Sequence, residues 1–126
     1  DNQWTCDKCK EKVNCKKQTR FWTLSDIVIF VIKIDNMFEK LNFNFIYPLN
    51  IDMSKYCINY SEKNLKYELI GTCIHSGSLG HGHYYANCKK YGNWYTYNDE
   101  SIKKLDNKED ILNSDAYCLV YRRIKY

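Results

Sequence analysis

No apolar run in this chain approaches the ~20 residues that a membrane-crossing helix requires; the longest, residues 27–32, has the length of a strand. Nor does any stretch read as a signal peptide. The chain begins DNQWTCDKCK, without an initiator methionine or a charged leader, so it reads as an internal piece of something longer. No internal repeat is present, which sets solenoids and propellers aside. The seven cysteines are odd in number and lack the regular spacing of a secreted disulfide framework. That pattern points to a reducing, intracellular compartment, cytoplasmic or nuclear. The charge excess is small, 19 basic against 15 acidic residues for a net +4. With no aromatic stacking platform beside the early lysines, a nucleic-acid binder is disfavoured and the lysines read as a solvated face. No phosphate-loop lysine follows the glycines of residues 77–82, and a strand rather than a helix comes next, which disfavours nucleotide binding.

What is present fits one globular core within 126 residues, 44% of them hydrophobic and 16% aromatic. Twelve tyrosines favour sheet over helix bundle. From Thr19 the pattern is strand-like, and residues 27–34 form a β-branched run expected as a central strand buried on both faces. Residues 41–46 alternate as a half-buried strand that Pro48 stops. Residues 50–56 suggest a short strand and one helical turn capped by Ser54. Residues 67–75 are a further strand, where Gly71 signals a bulge or a close backbone approach. Residues 101–105 extend as a strand, 107–113 as a short helix with Glu109 and Asp110 near its start, and AYCLVYRR closes the chain as a strand.

Chemistry gathers between Tyr67 and Asn98. A glycine-punctuated stretch, SGSLGHG, reads as a mobile or ligand-hugging loop between a strand and HYYANCKK; Tyr91 and Gly92 then turn the chain into NWYTYN. If Lys90 pairs with Asn93, His83 falls opposite Glu100 and Asn98 is its same-face diagonal neighbour. With a loop one residue longer, Asp99 lies opposite instead. Either way an imidazole meets an amide or a carboxylate, the orienting half of a nucleophile, base and orienter arrangement. Trp94, Tyr95 and Tyr97 read as core and strand-pairing residues, and His75 and His81 as structural and solvent-exposed respectively.

Cys6 and Cys9 form a Cys-x-x-Cys turn, which supplies two of the four ligands of a structural zinc site. Completion would require Cys15 plus a remote ligand, or a second such turn outside the chain; the alternative is unpaired cysteines in a surface loop. Cys57, Cys73, Cys88 and Cys118 read as small buried hydrophobes.

The succession of Cys-x-x-Cys, a hydrophobic strand, FIYPLNIDMSKY, YELIGTCIHSGSLGHGHYYA, NWYTYND and AYCLVYRR resembles the C-terminal part of the catalytic domain of ubiquitin-specific proteases, the papain-like deubiquitinases. The resemblance implies an α+β, mostly antiparallel β fold: a papain-like palm (residues 21–126) with half of the zinc-ribbon fingers (residues 1–20), the helical thumb missing. It implies His83 as the catalytic histidine, Asn98 as the third triad residue and Asp99 as acidic support. It makes Gly77, Ser78, Leu79, Gly80, His81 and Gly82, with Tyr84, the substrate-binding stretch over a ubiquitin tail. Cys6 and Cys9 become structural zinc ligands, with no organic cofactor expected, and ubiquitin and ubiquitinated proteins become the partners. The pattern departs from the family at Leu24 and Ser25, at Ile32, Lys33 and Ile34, and at His81, where a small residue is usual. The box Gly-Asn-Thr-Cys-Tyr that carries the family's nucleophile is missing, so the expectation is a deubiquitinating thiol protease whose cysteine lies elsewhere, inactive as this chain alone. The alternative is an inactive ubiquitin-binding or scaffold domain.

Overall fold

A computed structural model describes residues 2–32, 45–59, 64–78 and 81–125. In chain order the strands are β1 (Trp4–Thr5), β2 (Lys12–Val13), β3 (Ile27–Val31), β4 (Asn50–Asp52), β5 (Lys66–Ser78), β6 (His81–Lys90), β7 (Asn93–Asn98), β8 (Ser101–Leu105) and β9 (Ala116–Arg123). A 3₁₀ turn, Ser54–Tyr56, follows β4, and a short helix, α1 (Lys108–Ile111), precedes β9. β1 and β2 make a separate two-stranded hairpin. The others form one antiparallel sheet in the order β3-β9-β5-β6-β7-β8, with β4 added on the β6 side of β5.

β5 and β9 are central because they carry the alternation of a strand with one face in the core. Tyr67, Leu69 and Ile74 on β5, with Ala116, Leu119 and Tyr121 on β9, are almost wholly buried, and Tyr47, Met53, Leu65, Trp94 and Ile111 pack around them. Full burial of one such side chain is worth about 1.5–3 kcal/mol, so this row dominates the hydrophobic stabilisation. The buried tyrosines also satisfy their hydroxyls. Tyr121 donates to the carbonyl of Pro48 at 2.6 Å and Tyr67 to that of Ser25 at 2.8 Å. Burial pushes the Tyr121 hydroxyl up to about 12. Tyr47 donates to the carbonyl of Ile111 at 3.1 Å and accepts from the Asn113 amide at 2.9 Å, tying α1 and the turn after it to the core.

Gly71 marks a bulge, as its position suggests: the β5–β9 register slips between Leu69 and Gly71. A Cβ there would meet only ordinary contacts, the nearest at 3.7 Å, so close approach is not its purpose.

Three expectations are corrected. Among the described residues β3 lies at the edge of the sheet rather than in its centre, and only one of its faces is covered: Ile27, Ile29 and Val31 are 42, 59 and 71% exposed. An apolar run reports compatibility with burial on two faces, whereas neighbours decide how many faces are covered. Ser54 does not cap the turn; the Asp52 carboxylate accepts from the Ser54 amide at 2.9 Å and from its hydroxyl. An Asp two residues ahead makes this Asx turn with an ionised acceptor, stronger than a hydroxyl. Phe21 makes only an isolated bridge to Cys57 instead of beginning a strand. Of the strand expected at 41–46, residues 41–44 lie outside the described residues, and Phe45 and Ile46 are not in a strand.

Candidate active site

Two tight turns and one long hairpin bring the site together. Tyr91 and Gly92 both lie at positive φ, 49° and 81°, the geometry of a two-residue turn whose twist matches the strands it joins. Lys90 consequently pairs with Asn93, and the ladder runs to Ala86 opposite Tyr97. A second two-residue turn, Asp99 and Glu100, follows with Asp99 at φ 50°, and Asn98 pairs with Ser101. Asn tolerates strand ends and Asp tolerates the left-handed region, so local chemistry permits both.

This register places His83 three residues beyond the last β6–β7 pair, within diagonal reach of Asn98. The His83 Nε2 lies 2.5 Å from the Asn98 Oδ1 and 3.7 Å from an Asp99 carboxylate oxygen. An amide oxygen can only accept, so Nε2 carries the proton and donates it, leaving the lone pair on Nδ1. With Nε2 committed to Asn98, Nδ1 is the nitrogen left to accept a proton, turned from Asn98. His83 remains half exposed, open to a reactant. The two registers left open by the sequence are thereby resolved: Asn98 holds the ring directly, and Asp99 stands at ion-pair distance.

The stretch expected as a loop is mostly strand. Ser76 pairs with His83, Gly77 with Gly82 and Ser78 with His81, so β5 and β6 continue almost to the tip; Leu79 and Gly80 lie outside the described residues. Glycine serves two purposes here. Gly77 has φ 113°, where a side chain is strained, and a Cβ on it would come 2.7 Å from the carbonyl oxygen of His81. A Cβ on Gly82 would fall 2.0 Å from the His75 ring. His75 therefore lies across Gly82, and it stacks on Tyr84 at 4.4 Å, bracing the reverse face of the segment that carries His83. Tyr84 in turn meets Tyr117 edge-on at 5.7 Å.

Residues missed in the sequence support the dyad from the side. Thr96 donates to the Asn87 side-chain oxygen at 2.7 Å, and Asn87, fully buried, donates to the Asp110 carbonyl at 3.2 Å. Asn113 donates to the Tyr85 hydroxyl at 3.1 Å, joining the turn after α1 to β6. Burial and the charge of Asp115 push the Tyr85 hydroxyl up. An open cleft of about 570 Å³ runs from Asn98 past Thr96 and Asn87 to Glu109, Asp110 and Asn113. These partners are 9 to 28 residues apart, and no local spacing signals them.

Among the described residues, no thiol partners His83. The hydrogen-bond and ion-pair contacts of His83 are Asn98 and Asp99. Burial pushes the Cys88 and Cys118 thiols up, away from the thiolate form that a nucleophile needs. Cys57 is buried and its thiol donates to the Trp22 carbonyl at 3.2 Å.

At the far end, Cys6 and Cys9 occupy the turn of the β1–β2 hairpin. Lys10 donates to the Cys6 carbonyl at 2.8 Å, and the Cys6 amide donates to Glu11 at 2.9 Å. Hydrogen bonds from the Cys9 and Lys8 amides, then from the Cys9 side chain, hold the Cys6 thiol below its usual range. Thiolate stabilised by backbone amides suits a metal ligand. Among the described residues no cluster of three or more His, Cys, Asp or Glu forms, so Cys15 does not complete the set.

With this geometry in hand, comparison with known proteins is direct. A family profile described as "Ubiquitin carboxyl-terminal hydrolase" matches residues 1–121. The chain belongs to the ubiquitin carboxyl-terminal hydrolase family. Within that family it is 34% identical over 132 residues to ubiquitin carboxyl-terminal hydrolase 9 of Arabidopsis thaliana, covering 99% of this chain and 14% of that protein. Ubiquitin carboxyl-terminal hydrolase 15 of Homo sapiens is 32% identical over 130 residues, covering 98% of this chain and 13% of that protein. Among solved structures, the SAGA DUB module of Ubp8, Sgf11, Sus1 and Sgf73 bound to monoubiquitin superposes with a TM-score of 0.82 at 28% identity, covering 99% of this chain and 29% of that one. The same module bound to ubiquitin aldehyde gives 0.82 at 27% identity, covering 99% and 30%. The chain has the fold of the matching part of these structures, mostly antiparallel β, and it spans about one-seventh of the curated relatives it matches.

Proposed function

We propose that this chain is the base-bearing part of a deubiquitinating thiol protease, which hydrolyses the bond after the C-terminal glycine of ubiquitin. The observation that carries this reading is the 2.5 Å contact between the His83 Nε2 and the Asn98 Oδ1, which leaves Nδ1 as the proton acceptor. A cysteine from outside the chain gives its proton to Nδ1, and its thiolate attacks the carbonyl of the ubiquitin glycine. His83 returns that proton to the leaving amine; the thioester is then hydrolysed with His83 again as base. Asn98 holds ring and tautomer through both steps. Being neutral, it adds little to stabilisation of the imidazolium, a duty that Asp99 at 3.7 Å is placed to share.

The stretch from Gly77 to Gly82, with Tyr84, would lie along the ubiquitin tail, since extended backbone such as that of the paired residues 77–78 and 81–82 can take up an extended peptide. Ubiquitin and ubiquitinated proteins are the partners in this reading; the superposable hydrolase modules bound to monoubiquitin and to ubiquitin aldehyde support it. Cys6 and Cys9 would supply two of the four ligands of a structural zinc ion, the fingers' half-site, and the ion would fix the β1–β2 turn.

The test is cleavage of a ubiquitin C-terminal fluorogenic substrate. The isolated chain should be inert, whereas the complete enzyme should turn over and lose that activity when His83 is replaced. Turnover by the isolated chain would overturn the division of labour. A complete protein that binds ubiquitin without cleaving it would establish the second reading, an inactive scaffold.

A further inference from the structure

The open face of the sheet holds three thiols, Cys73 on β5, Cys88 on β6 and Cys118 on β9, which the proposed reaction does not use. Their arrangement is unequal. Cys73 and Cys118 are direct cross-strand partners in the β5–β9 ladder. Cys88 pairs with Gly71 and is therefore only a diagonal neighbour of Cys73. Directly opposed residues of an antiparallel pair have Cα atoms roughly 4.5–5.5 Å apart, inside the window of about 4.4–6.8 Å that a disulfide requires. Diagonal neighbours stand about 7–8 Å apart, outside it. The two opposed side chains also point the same way. Immediately beyond, the register slips between Cys73 and Ile74.

The pair is half-buried on a face that stays accessible. Val31, the β3 partner of Cys118, is 71% exposed. A small reagent can reach it without unfolding the sheet, unlike Cys57, which is buried.

We propose that Cys73 and Cys118 are a modification site, a dithiol that low-molecular-weight disulfides convert reversibly to a cross-strand disulfide. One thiolate of the pair attacks a sulfur of the small disulfide, forming a mixed disulfide and expelling one small thiolate. The second thiolate attacks the protein sulfur of that mixed disulfide, forming the Cys73–Cys118 bond and expelling the other small thiolate. The two protons from the protein thiols pass through water to the two released thiolates. The protein pair is oxidised by two electrons and the small disulfide is reduced to two thiols. The bond would staple β5 to β9 three residues ahead of Ser76, the partner of His83. The elevated Cys118 thiol makes the exchange slow near neutrality and faster as pH rises.

The experiment treats the folded protein with glutathione disulfide, blocks remaining thiols with an alkylating reagent and maps peptides from the monomeric fraction without reduction. The expected result is a Cys73–Cys118 cross-linked peptide with a loss of about two mass units, Cys57 unmodified, and reversal by dithiothreitol. In Cys88→Ser the same crosslink should persist; in Cys73→Ser, Cys118 should instead retain a glutathione adduct. Glutathione adducts on both Cys73 and Cys118 of the unmutated protein, a Cys73–Cys88 crosslink, or free thiols at both positions would overturn the proposal.

Discussion

Two hairpins of this chain each present chemically capable groups, and they hold them in opposite ways. In the β6–β7 hairpin, His83 and Asn98 meet across strands that are two members of a larger sheet, backed by the buried Asn87 and by Thr96. In the β1–β2 hairpin, Cys6 and Cys9 sit on a turn between strands of two residues each, apart from the sheet and without a core residue. The first site is positioned by the fold, so its geometry exists before any reactant arrives. The second is positioned by its own backbone amides, and a metal would supply the order that packing supplies elsewhere.

Substitution of His83 by Ala should break the first site most severely. Loss of the proton acceptor is expected to lower kcat of the complete enzyme by about 10³-fold, read on a ubiquitin C-terminal fluorogenic substrate with the far-ultraviolet spectrum unchanged. Asn98→Ala should leave the base but free its ring, lowering kcat by about 10²-fold. Asp99→Ala, which removes only an exposed ion-pair partner, should cost a few-fold at most, and that order among the three is itself the check.

Gly82→Ala tests whether the frame does the positioning. With a Cβ 2.0 Å from the His75 ring and 2.8 Å from the Ser76 carbonyl, the hairpin must shift. A loss of about 1–3 kcal/mol in urea unfolding is expected, as for an overpacked site, together with reduced activity. An unchanged midpoint would mean that His75 moves aside freely.

Smaller effects sharpen the contrast. Glu68 bridges Lys89 of β6 and Arg122 of β9, both at 2.7 Å, and these hydrogen bonds, Lys89 first, lower its pKa. Stability from this carboxylate is therefore complete above the unfolded value of about 4.3 and lost as pH falls through the lower folded value. The Tm difference between the parent and Glu68→Gln should be present at pH 7 and vanish in acid. At the other hairpin, Cys6→Ser should leave the sheet's unfolding within about 0.5 kcal/mol. Cys6 should also alkylate faster at neutral pH than Cys118, whose thiol burial pushes up.

How legible each region was in the sequence follows from where its determinants lie. β5, β7 and β9 announce themselves by alternation, and the turn at Tyr91 and Gly92 by its dipeptide, because both signals are local. The meeting of His83 with an amide or a carboxylate follows from strand parity; parity left Asn98 and Asp99 open, the resemblance pointed to Asn98, and the register of Lys90 opposite Asn93 brings that residue to the ring. Glycines at 77 and 82 read as freedom, yet they are where two strands and a histidine ring come too close for a Cβ. Edge placement of β3 depends on which strands neighbour it, and Asn87 reaches Asp110 over 23 residues, so neither is written in any short window.

The central claim is that Asn98 fixes His83 as a neutral base with Nδ1 free, and nitrogen–proton correlation spectroscopy of the imidazole reads this directly. At a pH where the ring is neutral, the account predicts a single tautomer with a slowly exchanging proton on Nε2 and none on Nδ1, and loss of that protection in Asn98→Ala. A proton on Nδ1, or an Nε2 signal indifferent to Asn98→Ala, would contradict it.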